Sequence, residues 1–348
     1  MKSFKIGTAN IGNKYRSFII AEIGVNHNGK ISIAKKMIDA AIKCGADCVK
    51  FQTFKSEDLA NKKTGLAKYQ VKNKVKDQNQ LDMLKRLELS KNDFVHLYEY
   101  CKKKKIQFLS TPFNKEDVDF LKKLGVKAFK LSSMHAVEYE FIRYVASKKL
   151  PMIVSTGMCT MNEVTKMIKT IRNRGNNKIC VLQCNSNYPA YLKDSHINVL
   201  KSYERMNLIT GYSDHTINDI SAILALGLGA KVFEKHFTLD KKMIGPDHLS
   251  SLNPSELKNY ISNIRLAETA LGSEIKKPTK NEKNTMFFAR RSLVTKNEIY
   301  KGKKISINDL KFMRPYNGIG VKDLKKVLNK KVKKNLKKNE LLKWNDLI

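Results

Sequence analysis

The sequence predicts an α/β chain: a (β/α)8 barrel over residues 1–275, a linker over 276–286 and a small β-rich domain over 287–348. Three observations carry this. From residue 18 onward, short apolar runs alternate eight times with longer helix-like stretches. The short runs are apolar almost throughout, which marks strands buried on both faces, as in a parallel sheet covered by helices. After the last repeat the texture changes to brief alternating segments separated by tight turns. Eight repeats over residues 18–272 suit a closed barrel better than an open doubly wound sheet. No G-x-G-x-x-G follows the first strand, as a dinucleotide-binding sheet would require.

Taken in order, the strands fall at 18–24, 46–52, 106–111, 127–133, 152–156, 178–184, 207–213 and 230–237. Between them, segments such as 31–44, 114–125 and 162–173 read as amphipathic helices, and the eighth, 254–272, closes on Gly272. A long excursion, 55–80, follows the second strand; on the catalytic side of a barrel such an insertion lines or covers the site. The charged, proline-bearing stretch 273–284 reads as linker. The domain after it is small enough to gain from packing on another surface. Its tail, 322–344, alternates basic pairs with Val and Leu, the pattern of a solvated basic face.

With 67 Lys+Arg against 32 Asp+Glu, the net charge is +35. Such a balance points to nucleic acid, anionic membrane or an anionic substrate. Here the lysines are spread over the whole chain, which reads as a general compositional bias. Six cysteines without a C-x-x-C pair, mostly in apolar segments, read as reduced buried thiols of a cytoplasmic protein. The run FIIAEIGV (18–25) is too short and too acidic for a signal peptide or a spanning helix.

Barrel enzymes build their sites at the C-terminal ends of several strands. Those ends supply Glu22, Lys50, Gln52, Thr111, Lys130, Ser133, Ser155, Ser186, Ser213, His215 and His236. Two lysines at one mouth call for an anion, since unit charges about 4 Å apart attract by about 4 kcal/mol gross at an effective dielectric near 20. The hydroxyls would meet the remaining hydrogen-bonding demand of a phosphate or carboxylate. His215 and His236 are candidate ligands for a divalent metal that polarises a carbonyl, with Glu22 as general base or water-orienting group.

Several motifs carry a resemblance. AEIGVNHNG (21–29), VKFQTFK (49–55), FLSTPF (108–113), STGM (155–158), CNSNYP (184–189), GYSDHT (211–216), EKHFTLD (234–240) and GPDH (245–248) resemble bacterial N-acetylneuraminate (sialic acid) synthases, the family that includes legionaminic acid synthases. RRSL (290–293) and RP-x-x-GI (314–319) resemble the small SAF, or antifreeze-like, domain of those enzymes. The resemblance implies a transferase that condenses phosphoenolpyruvate with an N-acetylated hexose, N-acetylmannosamine or a relative. It also implies a divalent metal, manganese before magnesium or cobalt, and a domain-swapped homodimer. His215 and His236 match the metal ligands and Glu22 the acid that handles the attacking water. Lys50, Thr111, Lys130, Ser133, Ser155, Ser186 and Ser213 match the phosphoenolpyruvate contacts. Gln52, Tyr188 and Asp247 match sugar-side positions, and Arg314 matches an arginine that the partner subunit inserts over the sugar. One departure stands out: the family's Ser-Gly-Glu after the fourth strand is Ser133-Met134-His135 in this chain, which bears on sugar identity.

Two other readings compete. A synthase for N,N'-diacetyllegionaminate would use the same scaffold. A nucleic-acid-binding protein on an inactive barrel would use the basic tail, but no interleaved aromatics or recognised binding motif support it.

Overall fold

The structure, a computed structural model, describes residues 3–348 apart from 68, 69, 72 and 74. It divides into two compact units, Met1–Gly272 and Ser273–Ile348.

The first unit opens with an antiparallel hairpin of β1 (Ser3–Ile6) and β2 (Ala9–Gly12), joined through Gly7 at φ 58°. Then come β3 (Phe18–Gly24), β4 (Cys48–Thr53), β5 (Gln107–Pro112), β6 (Phe129–Leu131), β7 (Met152–Ser155), β8 (Ile179–Cys184), β9 (Ile209–Asp214) and β10 (Val232–His236). Among the described residues these eight form one parallel sheet in the order β5-β4-β3-β10-β9-β8-β7-β6. Its two ends, β5 and β6, lie side by side and close the ring. Each of the eight strands predicted from the sequence is present, with ends shifted by at most two residues.

Strand alternation divides the core into two layers. Residues such as Ile20, Cys48, Leu109, Ile153, Leu182 and Val232 point into the barrel. Phe4, Ile6 and Ile11 of the hairpin join that inner cluster, so the hairpin supplies apolar filling at the start of the strands. Residues one position away, including Ile19, Val49, Phe108, Val154, Tyr212 and Phe233, pack against the helices outside. The helices Ile31–Cys44, Lys115–Leu124, Met161–Arg172 and Pro254–Leu271 match the sequence expectation closely. Three of them start at an asparagine or threonine that accepts a backbone N–H of the first turn. Part of the predicted insertion 55–80 lies outside the described residues. Its described part includes the short helix Ser56–Leu59, and Val75 in a cluster with Phe54, Met83 and Leu87.

In the second unit, β11 (Ser292–Thr295) pairs with β12 (Leu310–Met313) over a core of Leu293, Ile299, Ile305, Val327, Val332, Leu336 and Leu342. The tail alternates as its sequence suggests. Val327, Val332, Leu336 and Leu342 are buried, and Lys325, Lys326, Lys330, Lys331, Lys333 and Lys334 face solvent. The predicted linker 276–286 needs correction. Lys280–Ala289 is a helix, and Thr279 with Glu282 forms its capping box. The charged composition that suggests a linker is that of an exposed helix, with no buried residue.

Candidate active site

At the C-terminal ends of the strands, the inward-facing residues change from apolar to ionic. In the ladder between β3 and β4, Glu22 pairs with Lys50; between β10 and β9, Glu234 pairs with Ser213; His236 lies beside Glu22. Their side chains meet in one cleft, lined among others by Glu22, Lys50, Gln52, Thr111, Phe113, Lys130, Ser133, Ser155, Tyr188, Ser213, His215, Glu234 and His236.

The cleft floor is a row of four buried charges with alternating sign. Lys50 Nζ lies 2.8 Å from Glu22 Oε2 and 3.8 Å from Glu234 Oε2, and Lys130 Nζ lies 3.2 Å from Glu234 Oε1. Side hydrogen bonds fix each member. Lys50 donates to Thr111 Oγ1 at 3.0 Å, Lys130 to Ser155 Oγ at 2.8 Å, and Gln52 to Glu22 Oε1 at 3.1 Å. Ser213 Oγ donates to Glu234 Oε1 at 2.8 Å. Sequence reading misses Glu234, although it stands two residues before His236 and strand periodicity puts both on one face. For the two lysines the sequence leaves two readings open, an incoming anion or a nearby acid. In the structure each has a carboxylate partner.

The two acids are driven apart. Burial, reinforced by the charge of Glu234 and opposed by Lys50, raises the Glu22 carboxyl to about 7. Burial also acts to raise Glu234, but Lys130 and Lys50 together outweigh it and hold that carboxyl at about 2. Below neutral pH the row therefore carries two ammonium groups against one carboxylate and has room for an anion.

The raised Glu22 pKa has a consequence for stability. An unfolded glutamate titrates near ~4.3, so the folded form is favoured while Glu22 stays protonated, and stability is lost as pH rises toward about 7. Glu22→Gln, which cannot ionise, is expected to gain thermal stability relative to the parent on going from pH 5 to pH 8.5. Melting curves at both values check this; a constant difference between the two proteins would contradict it.

The hydroxyl side is shaped by Gly157. Its N–H donates to Ser133 Oγ at 2.9 Å, and a Cβ built there would lie 2.2 Å from Ser186 Oγ and 2.9 Å from Ser133 Oγ. A side chain at 157 would thus fill the gap where the two hydroxyls converge. Ser186 itself borders the neighbouring cavity with Thr156, Met158 and Cys184.

The same cleft holds a group of aromatic rings. The His215 and His236 ring centroids are 5.3 Å apart, and Tyr188 packs 4.1 Å from the first and 5.3 Å from the second. His215 Nδ1 donates to the Asn185 carbonyl at 2.6 Å and lies 3.9 Å from Cys184 Sγ; burial acts to lower its pKa, but Cys184, the Asn185 carbonyl and Glu234 together raise it. His236 Nδ1 is buried without a hydrogen-bond partner. Burial and the neighbouring His215 push its pKa well below the usual range, so this imidazole is neutral. Two imidazoles this close fit a pair of ligands for a divalent metal, with His215 giving up any Nε2 proton on binding it. Among the described residues no three His, Cys, Asp or Glu side chains are grouped to hold an ion, so further positions would fall to water or substrate.

The other predicted residues lie further out. Asp247 Oδ2 is 4.0 Å from His236 Nδ1, and burial raises its carboxyl to about 6. Arg314 belongs to the second unit, where it is exposed and its Nε donates to the Ala289 carbonyl at 3.0 Å. His135 is fully buried behind the cleft wall, 5.2 Å from Phe113 and 5.0 Å from Phe141, with Nδ1 2.9 Å from Ser132 Oγ. Burial lowers its pKa to about 4, and it does not line the cleft.

Residues 37–276 match the sequence pattern of the NeuB family, more than half of the chain. The chain belongs to the NeuB family. Residues 290–348 of this NeuB-family chain match the SAF domain, the region of β11 and β12. The chain is similar to N,N'-diacetyllegionaminic acid synthase of Legionella pneumophila, 42% identical over 338 residues, which cover 96% of this chain and 95% of the relative. It is also similar to N,N'-diacetyllegionaminic acid synthase of Campylobacter jejuni, 40% identical over 331 residues, which cover 94% and 99% of the two chains. Among solved structures, the N-acetylneuraminic acid synthetase of Leptospira borgpetersenii superposes with a TM-score of 0.74 at 28% identity, covering 82% of this chain and 95% of that one. The NeuB barrel and the appended SAF domain together agree with the fold class predicted from the sequence.

Proposed function

We propose that the chain is a nonulosonic acid synthase. It condenses phosphoenolpyruvate with an N-acetylated amino sugar and releases phosphate by C–O cleavage. The observation that carries this is the Glu22–Lys50–Glu234–Lys130 row beside the paired imidazoles of His215 and His236, at the strand ends of a NeuB-family barrel.

In this reading Lys50 and Lys130 hold the anionic groups of phosphoenolpyruvate, with Thr111 on the carboxylate and Ser133, Ser155, Ser186 and Ser213 around the phosphate. Those ammonium groups are preorganised by Glu22 and Glu234, so charge developing on the departing phosphate meets dipoles and charges already in place. A divalent metal on His215 and His236, manganese by the family resemblance, would supply Lewis-acid polarisation of the sugar aldehyde. C3 of phosphoenolpyruvate bonds to the aldehyde carbon, and positive charge develops at C2. Water adds at C2 and gives its proton to Glu22, which is poised near neutral pH for that transfer. The tetrahedral carbon then expels phosphate with its bridging oxygen. Gln52, Tyr188 and Asp247 face the sugar. Assembly as a homodimer, with Arg314 of the partner subunit over the sugar, belongs to this proposal through family resemblance, as does a cytoplasmic location. Among the described residues, no helix is long and apolar enough to cross a membrane.

Two sugars are at issue. N-acetylmannosamine is the substrate that the sequence motifs first suggest. A diacetamido sugar, giving N,N'-diacetyllegionaminate, is favoured by the two relatives at 42% and 40% identity. Phosphate release from phosphoenolpyruvate and Mn2+ with each sugar in turn decides between them. Release with the diacetamido sugar alone assigns the legionaminate branch, and release with neither overturns the enzyme reading.

A further inference from the structure

The two histidines of the cleft are each preceded by a charged residue that points away from it. Alternation turns Asp214 and Lys235 to the outside of the sheet, where they are direct partners in the β9–β10 ladder. Both side chains are sealed from solvent, at 0% and 1% exposure. Lys235 Nζ lies 3.0 Å from Asp214 Oδ2, donates to the Thr216 carbonyl and sits 5.2 Å from the centre of the Tyr260 ring. The other oxygen of Asp214 accepts from Thr216 N–H at 2.8 Å and from Thr216 Oγ1 at 2.7 Å.

His215 is therefore flanked by two residues tied down from behind, and the tie is made by the residue next to His236. We infer that the buried Asp214–Lys235 pair is a shared mount that fixes both imidazoles relative to each other, so that these are positioning residues of the cleft. A buried ion pair adds little net stability over an apolar pair of equal size. What it adds is direction, because ammonium, carboxylate and the Thr216 turn fit together in one arrangement. This rests on reading His215 and His236 as the reactive pair.

The test uses the full chain carrying Asp214→Asn together with Lys235→Met, which leaves no uncompensated buried charge. The expected result is a folded protein whose Mn2+ affinity falls about 10- to 100-fold, the usual scale for residues that support metal ligands. Phosphoenolpyruvate affinity should stay within about twofold, a split that a merely structural role would not produce. A second readout needs no metal: the imidazole C–H signals of His215 and His236 in metal-free protein should shift or broaden, with that of exposed His96 unmoved. Thr216→Val loosens only the turn under His215, and should move that signal while leaving His236 in place; it serves if the double variant does not fold. Unchanged ring signals in a folded variant overturn the mount. Mn2+ binding that also survives His215→Ala would instead refute the metal reading, and the ring signals alone would then decide the inference.

Discussion

Alanine at His215 is expected to lower kcat/KM by about a thousandfold, roughly 4 kcal/mol of transition-state stabilisation at 1.36 kcal/mol per tenfold. The structure shows why the effect should be so concentrated. His215 has its Nδ1 proton committed to the Asn185 carbonyl, and its ring packs against those of His236 and Tyr188. Removing it would leave one imidazole to hold the metal that polarises the sugar aldehyde. The two lysines assigned to phosphoenolpyruvate lie on other strands and have their own hydrogen bonds, Lys50 to Thr111 and Lys130 to Ser155. Direct binding of phosphoenolpyruvate to the variant should therefore change by no more than a few fold. Turnover within tenfold of the parent would contradict the assignment, and joint loss of binding and turnover would point to a collapsed site.

Alanine at Glu234 should act first on stability. The parent carboxylate is shared by Lys130 at 3.2 Å and Lys50 at 3.8 Å, all of them buried. Breaking a buried pair from one side leaves uncompensated charge and costs about 3–5 kcal/mol. At roughly 2–4 °C per kcal/mol for a domain of this size, the melting temperature should fall by about 10 °C. Inorganic phosphate should restore more of that loss in Glu234→Ala than it adds to the parent, because it meets two ammonium groups lacking their partner. Thermal unfolding with and without phosphate reads both effects. An unchanged melting temperature would mean that the lysines are neutralised some other way.

Strands buried on both faces announce themselves as continuous apolar runs, so the barrel and most of its mouth are legible in the sequence. The hairpin Ser3–Gly12 is not, since its runs are four residues long and lie before the first long apolar segment. Glu234 escapes notice when strand ends are read one residue at a time; the period of two places Glu234 with His236 inside and Lys235 outside. The same alternation hides the Asp214–Lys235 pair, whose partners are 21 residues apart and meet only through the register of β9 and β10. His135 illustrates the opposite limit. A motif comparison shows only that it stands where the family has a glutamate; that its ring packs between Phe113 and Phe141, off the cleft lining, emerges from the fold. The helix Lys280–Ala289 is legible in principle, through Thr279 and Glu282 at capping-box spacing, but its exposed charges resemble a linker.

The fate of one oxygen atom tests the central claim most directly. Phosphoenolpyruvate labelled with 18O at the bridging position is turned over with Mn2+ and the accepted sugar, and phosphate and product are analysed by mass spectrometry. Attack of water at C2 followed by C–O cleavage predicts that the label leaves with the phosphate and that the nine-carbon product carries none of it. Label retained in the product, with unlabelled phosphate released, would mean cleavage at phosphorus and would contradict the roles proposed for Glu22 and the two lysines.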